Sequence, residues 1–286
     1  MNTKEKFEEA YRTLEQAEMV VLRDVTGFPV YNQDIISPYL MLFVCHSGYA
    51  RTLYDMQEVF FHPNEVAVVL PNHIMHPIEC SDDYDVTVLL HSIPFTEELK
   101  SKRLKHDYNK FHSLPACLLR EEEMMLFMKG VELLEHLCLS SIQKYPLRHE
   151  MLIAQSNVLS EMLNFYRREM DNQTVHKTRN LSLLNEFCDL LALHYREQHE
   201  VAFYAEKVHL TVRHFSVVIK EVVGLSASDY IEQYLATQAK NILASRPDLS
   251  VQQISNYLGY SDSPSFCRFF KRRTGLTPTD FRQSSD

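Results

Sequence analysis

The sequence has no long hydrophobic run. No stretch of about 18 apolar residues occurs, and Met1 to Ala10 is charged, with no apolar segment of the kind a secretion signal needs. Secretion and membrane insertion are therefore not expected, and a cytoplasmic location is. Cysteine is present but never in CxxC spacing: the six copies stand at 45, 80, 117, 138, 188 and 267 and read as reduced core residues. Positive charge is also scarce, with 29 Lys and Arg against 38 Asp and Glu and a net charge of -9. Residues 1–180 hold 18 of those cations and 26 of the acids, which makes this part a poor nucleic-acid binder. What the chain does have is 45% apolar residues over a length of 286, enough for a core in each of two domains.

The most informative positive feature is an internal repeat. Sliding the chain on itself by 51 positions places Phe215 on Phe266, Lys220 on Lys271, Gly224 on Gly275, Leu225 on Leu276 and Asp229 on Asp280. Ile219 with Phe270, Ser226 with Thr277, Ser228 with Thr279 and Tyr230 with Phe281 are conservative matches. Two copies make a tandem pair rather than a solenoid.

Each copy reads as a short helix, a tight turn and a second helix that starts at a capping residue. In the second copy Ser250 precedes the apolar positions Val251, Ile254 and Leu258, and Gly259 stops the helix. A turn over Gly259 to Ser261 leads to a helix that starts near Asp262 or Ser263, tolerates Pro264 in its first turn and runs to Gly275. The first copy has a helix over about Phe203 to Val208, a turn at His209 and Leu210, and a helix capped by Thr211 that ends before Gly224. Both copies are helix-turn-helix units. Phe266, Phe269, Phe270 and Phe281 fall at helical spacing and are expected in the core rather than stacked on bases.

These residues resemble the DNA-binding domain of the AraC/XylS family of transcription regulators, in which one long helix joins two helix-turn-helix units. The matching positions are Thr211, Phe215 and Lys220 to Gly224 in the first unit, and Ile254, Gly259-Tyr260, Phe266, Arg268, Phe270-Lys271, Gly275, Pro278 and Arg282 in the second. Tyr230-Ile231, Ala239-Lys240 and Ile242-Leu243 match in the connecting helix, expected over Ser226 to Ala244 with an apolar stripe of Ile231, Leu235, Ile242 and Leu243. The chain departs from the family at Val217, where arginine is common, and at Pro264-Ser265, where a polar and an aromatic residue are usual.

The resemblance implies double-stranded DNA as a partner, with RNA polymerase as a second. Two recognition helices about 34 Å apart would read successive major grooves. The base-facing positions would be Arg213, His214, Ser216 and Val217 in the first unit and Ser263, Pro264 and Arg268 in the second, with Arg268 best suited to a bidentate guanine contact. Lys220 in the first unit and Lys271, Arg272 and Arg273 in the second would follow the phosphates. Residues 181–286 carry 11 Lys and Arg against 12 Asp and Glu, but four of those cations fall between Arg268 and Arg273 with no acid among them. The second unit is therefore expected to supply most of the electrostatic affinity.

Ahead of this domain, residues 25–95 read as short strands. Tyr39 to Val44, Ala50 to Tyr54, Val66 to Leu70 and Asp85 to Leu90 are separated by His46-Ser47-Gly48, His62-Pro63-Asn64 and Cys80 to Asp83, the pattern of an antiparallel barrel or sandwich. Their order is similar to the cupin-like sensor domain that often precedes this DNA-binding domain. In that resemblance the barrel holds a small-molecule effector, and His46, Tyr54, His73, His76 and Tyr84 are the candidate lining residues. A cupin-type metal enzyme with a regulatory appendage is the alternative. It would show HxH with a following Glu, whereas His73 and His76 are three apart and would point to opposite faces of a strand. No catalytic residue, metal or cofactor is therefore assigned. A barrel kept only for assembly is a third reading.

Two helical stretches follow, over 120–139 and 149–170. Leu152, Leu159 and Tyr166 fall seven apart, with Gln155 and Met162 between them, which suits either a helix pair between two protomers or packing on the barrel of the same chain. The family resemblance favours a homodimer. The polar run Arg168 to Asn180, including Asp171-Asn172-Gln173-Thr174, reads as a linker. The expected protein is an α+β, multidomain chain: a cupin-like antiparallel β-barrel with flanking helices over 1–145, a dimerisation helix over 146–170, a linker over 171–180, and over 181–286 an all-α domain of two helix-turn-helix units joined by a long helix.

Overall fold

Leu40 to Cys45 is apolar at every position, which only a strand covered on both faces can use. In the computed structural model, which describes residues 1–99, 116–139, 145–170 and 175–284, this run is strand β3, Leu40–Ser47. Leu40, Leu42 and Val44 enter a core shared with two helices, while Phe43 faces the opposite way, into the barrel. The alternation of side chains along the strand makes both contacts possible.

The chain divides into two compact units. The first comprises Met1–Gln33, Ser37–Tyr54 and Glu58–Ser182, and the second comprises Asp34–Ile36, Asp55–Gln57 and Leu183–Asp286. After helix α1 (Thr3–Thr13) come strands β1 (Met19–Val25), β2 (Ile35–Ile36), β3, β4 (Ala50–Tyr54), β5 (Gln57–Phe61), β6 (Glu65–Val69), β7 (Ile74–Cys80) and β8 (Asp85–His91). Helix α2 (Ile93–Leu99) and strand β9 (Ala116–Leu118) follow. One sheet has the order β1-β8-β3-β6-β9 and the other β2-β7-β4-β5. The pairs β1–β8, β8–β3, β3–β6, β6–β9 and β4–β7 are antiparallel. All four strands expected from the sequence are present. The sheets extend beyond residues 25–95, however, because β1 and β9 add to the edges of the first one.

Helices α3 (Glu121–Cys138) and α4 (Arg148–Met170) cover that first sheet. α3 starts with Glu121, Glu122 and Glu123, where the helix dipole favours negative charge, and Glu123 accepts a 2.8 Å hydrogen bond from Arg120 N. Met124, Phe127, Val131, Leu134 and Leu137 form its buried stripe. Gly130 lets α4 approach closely: a Cβ there would lie 2.6 Å from Leu159 Cδ2 and 2.7 Å from Gln155 Nε2. The same packing decides between the two readings of the heptad. Leu152, Leu159 and Tyr166 are buried in the intramolecular core, so they are not a seam between protomers.

Of the expected linker, Asp171-Asn172-Gln173-Thr174 lies outside the described residues. Residues 175–180 form the start of helix α5 (Val175–His194), and the division between units falls after Ser182. The second unit continues with α6 (Val201–Lys207), α7 (Val212–Val223), α8 (Ala227–Ser245), α9 (Val251–Tyr257), α10 (Ser263–Thr274) and α11 (Pro278–Ser284). α8, whose 19 residues span about 28 Å, touches α6 and α7 on one side and α9, α10 and α11 on the other.

Candidate nucleic-acid interface and barrel cavity

Both recognition helices are set by local chemistry at their ends. Thr211 caps α7 by accepting from His214 N at 3.2 Å, and Asp262 caps α10 by accepting from Ser265 N at 2.7 Å. Those bonds from Ser265, backbone first, hold the Asp262 carboxyl below the usual carboxylate range. Gly224 and Gly275 end the two helices in the left-handed region at φ +79° and +81°, and no atom lies near enough to either to crowd a Cβ. Glycine is needed there for its backbone freedom, not for space.

The repeat spacing changes inside the unit. The recognition helices and their caps are 51 residues apart, whereas α6 and α9 start 50 apart, at Val201 and Val251. Leu210 N donates to Ala205 O and Tyr260 N donates to Ser255 O, so Leu210 matches Tyr260 and Ser261 is the additional residue. The second turn is therefore longer by one. Its sharp residue is Gly259 at φ +75°, where a Cβ would come within 2.0 Å of Arg196 O, while the first turn places His209 at φ +57°.

Each unit is built on an aromatic cluster. Phe187 packs against Tyr204, Phe215 and Tyr230 with ring centroids 5.3, 5.1 and 5.6 Å away. In the second unit Tyr260 packs on Phe266 and Phe269, and Phe270 on Phe281. Phe266 and Phe270 are fully buried and Phe269 nearly so, as expected for core residues, whereas Phe281 is only half-buried. With the apolar stripe inside, the rest of each recognition helix faces solvent. Arg213, His214, Val217 and Lys220 are exposed on α7 with Ser216 half-buried; Pro264, Arg268, Lys271 and Arg272 are exposed on α10 with Ser263 and Arg273 half-buried.

The cation cluster differs from its sequence reading. Arg272 Nη2 lies 2.9 Å from Glu232 Oε2, and Arg273 donates to Asp229 O at 2.7 Å and lies 3.3 Å from Asp229 Oδ1. No acid interrupts the run along the chain, but α8 brings two acids to it in space. Arg268 Nη2 donates to Ser265 Oγ at 3.0 Å, one turn away on the same helix. Among the described residues Lys271 and Arg213 have no ion-pair partner. The acids on α8 had no local signal in the sequence; the Ser265 contact, at i and i+3, did.

In the first unit, the sheets enclose a cavity of about 40 Å³ whose walls include Phe28, Phe43, Tyr54, Phe61, Met75 and Tyr84. Two of the five candidate effector residues, Tyr54 and Tyr84, line it. Tyr54 Oη accepts from Leu70 N at 3.0 Å, and burial pushes the Tyr84 hydroxyl far above its ordinary pKa. The three histidines lie elsewhere. His46 is exposed on the other face of β3, 2.8 Å from Thr87 Oγ1, because it follows Val44 rather than Phe43 in the alternation. His73 stacks on Tyr54 from outside the cavity wall at 5.6 Å, and His76 points away from it because its neighbour Met75 points in. No group of three or more His, Cys, Asp or Glu is gathered for a metal among the described residues, and no described helix is long and apolar enough to cross a membrane.

Two capped helices on one connecting helix, each with a polar face outward, define a tandem helix-turn-helix DNA-binding domain. Residues 204–284 match the family described as a helix-turn-helix domain. The arabinose operon regulatory protein of Salmonella typhimurium is 27% identical over 136 residues, 47% of each chain. An uncharacterized HTH-type transcriptional regulator of Bacillus subtilis, YtdP, is 35% identical over 79 residues, 28% of this chain and 10% of that one. The C-terminal helix-turn-helix domain of this chain is thus similar to that of these transcription regulators. The chain spans about half the length of the arabinose regulator it matches. Over nearly the whole chain the fold is similar to that of ToxT from Vibrio cholerae O395, bound to (E)-4-(8-methylnaphthalen-1-yl)but-3-enoic acid, with a TM-score of 0.50, 13% identity and coverage of 94% of this chain and 100% of that one.

Proposed function

We propose that the protein is a transcription regulator that reads double-stranded DNA with α7 and α10, acts as a homodimer in the cytoplasm alongside RNA polymerase, and responds to an effector taken up by the barrel. The observation that carries this reading is the pair of capped helices presenting Arg213, His214, Val217 and Lys220 on one and Pro264, Arg268 and Lys271 on the other, fixed to the common helix α8. Arg268 contacts a guanine after releasing Ser265, and Lys271 follows a phosphate. Arg272 and Arg273 must exchange Glu232 and Asp229 for phosphate; the pair of the exposed Arg272 is weak enough to allow it, while the half-buried Arg273 is held more firmly.

Dimerisation is assigned to a different face of α4 from the heptad of the core. Met151, Val158 and Phe165 are exposed and stand seven apart on a stripe about 100° round the helix from Leu152 and Leu159. In the barrel, Tyr54 and Tyr84 are the effector contacts, and walls of Phe28, Phe43, Phe61 and Met75 favour an apolar molecule over a sugar.

Selection of bound sequences from a random DNA pool, followed by fluorescence anisotropy on the selected site, tests the central claim. Two specified half-sites about one helical turn apart are expected, with Arg268→Ala relaxing one of them. Binding with no sequence preference would sink the reading. A thermal-shift screen of apolar acids, aromatic molecules and sugars tests the effector, since a ligand at a hundred times its Kd adds about 2.7 kcal/mol.

A further inference from the structure

The first unit contains a second cavity, separate from the barrel interior. It lies between the helix-facing side of the sheet and helices α3 and α4, has a volume of about 30 Å³, and is lined by Leu42, Leu89, Leu134, Leu163, His91 and Ser156 among others. His91, the last residue of β8, is only 4% exposed, and Ser156 on α4 is equally buried. Neither ring nitrogen of His91 has a hydrogen-bond partner among the described residues, and neither does Ser156 Oγ. The His91 ring is fixed edge-on against Phe95, centroids 5.4 Å apart.

A neutral imidazole always has one N–H to donate and one nitrogen to accept, and a hydroxyl does both. Buried groups of this kind are almost always satisfied. Two side chains that carry three such atoms line this one small space and therefore call for an occupant that donates and accepts. Among the described residues the walls supply no charged side chain, so an uncharged occupant fits them. The volume is roughly twice the ~10–15 Å³ that one water requires, which limits the occupant to a few non-hydrogen atoms. The leucines around the polar end suit a short alkyl group.

We propose that this cavity is a binding site for a small uncharged hydroxylic molecule of the size of a short-chain alcohol, its hydroxyl meeting His91 and Ser156 and its alkyl end lying among the leucines. The site is independent of the DNA-reading proposal, because every described lining residue belongs to the first unit. Water shares the hydroxyl chemistry and is the competing occupant.

The experiment is a titration of the full-length protein, labelled with ¹³C at leucine methyls and histidine rings, with 1-propanol. Saturable shifts of the His91 ring and of the lining methyls are expected, with nuclear Overhauser effects from the propanol methyl to those leucines. His91→Phe keeps the ring and removes two unsatisfied nitrogens; it is expected to fold and to weaken binding at least tenfold. Ser156→Ala, a smaller change, is expected to weaken it several-fold and serves if the first variant misfolds. His46→Ala, on an exposed position, should leave it unchanged. Shifts that rise linearly without saturating, no Overhauser contact, or equal affinity in His91→Phe and Ser156→Ala would overturn the proposal and leave water as the occupant. DNA binding is measured separately on the same samples, so failure of one reading leaves the other standing.

Discussion

The two helix-turn-helix units share a scaffold and differ almost everywhere else. Phe215 and Phe266 occupy equivalent buried positions, as do the capping oxygens of Thr211 and Asp262 and the left-handed glycines 224 and 275. On the outer faces Val217 stands where the second unit has Arg268, and Glu221 where it has Arg272. The turns also differ, one built on His209 and the other on Gly259 with an extra residue. Positions that hold the backbone are shared, while several outer-face positions differ. On the proposed reading, the same scaffold would present two different faces to two half-sites.

The largest expected effects test the equivalence of the cores. Phe215→Ala and Phe266→Ala should each cost about 3–5 kcal/mol, read from denaturant midpoints, because both rings are fully buried. A small loss at one site and a large loss at the other would break the equivalence. A second contrast sets the unit that contains His91 against the DNA-binding unit. Burial pushes the His91 pKa down from 6.5 to about 4, so the unfolded chain takes up a proton there before the folded one does. Stability from this group is fully present above about pH 6.5 and is lost as pH falls toward 4, by on the order of 3 kcal/mol. His91→Phe should flatten that part of the pH–stability curve, as followed by urea unfolding.

Glycine substitutions sharpen the comparison of turns and caps. Gly259→Ala should cost more than about 2 kcal/mol, because the left-handed backbone penalty is joined by a clash with Arg196 O, whereas Gly224→Ala should cost only about 1–2 kcal/mol from the backbone alone. Thermal unfolding of the two variants checks the order. Closest to function are the outer faces. Arg268→Ala should cost about 1–3 kcal/mol of DNA affinity and relax one base position, and Val217→Ala should cost little. Lys271→Ala should lower the slope of log affinity against log salt by about 1, and Arg272→Ala by less, since Glu232 already neutralises it in the free protein. Anisotropy titrations at several salt concentrations give all four numbers. Equal slopes for Lys271→Ala and Arg272→Ala would mean that the ion pair does not compete with phosphate.

Much of this was legible from the chain because it is local or periodic. A cap followed three residues later by its backbone donor, a left-handed glycine at a helix end and an apolar stripe at helical spacing lie within one or two turns of sequence, and a repeat makes them visible twice. The strands over 40–90 were legible for the same reason. The candidate effector residues were not, because a tyrosine or histidine in a short strand faces the cavity or its outside according to register, and Tyr54 and Tyr84 were placed inward while His46, His73 and His76 were not. The cavity beside His91 had no sequence signal at all, since Ser156 meets it from a helix more than sixty residues away.

By itself, then, the sequence determined two capped recognition helices, their common core residues, the long helix between them and a β-rich domain ahead. Only the tertiary structure decided which face of α4 is core and which is free, and that Arg272 and Arg273 are held by Glu232 and Asp229. The reason is that a helix has several faces, and the one it buries depends on elements distant in the chain: periodicity identifies a stripe, but only packing says what lies against it.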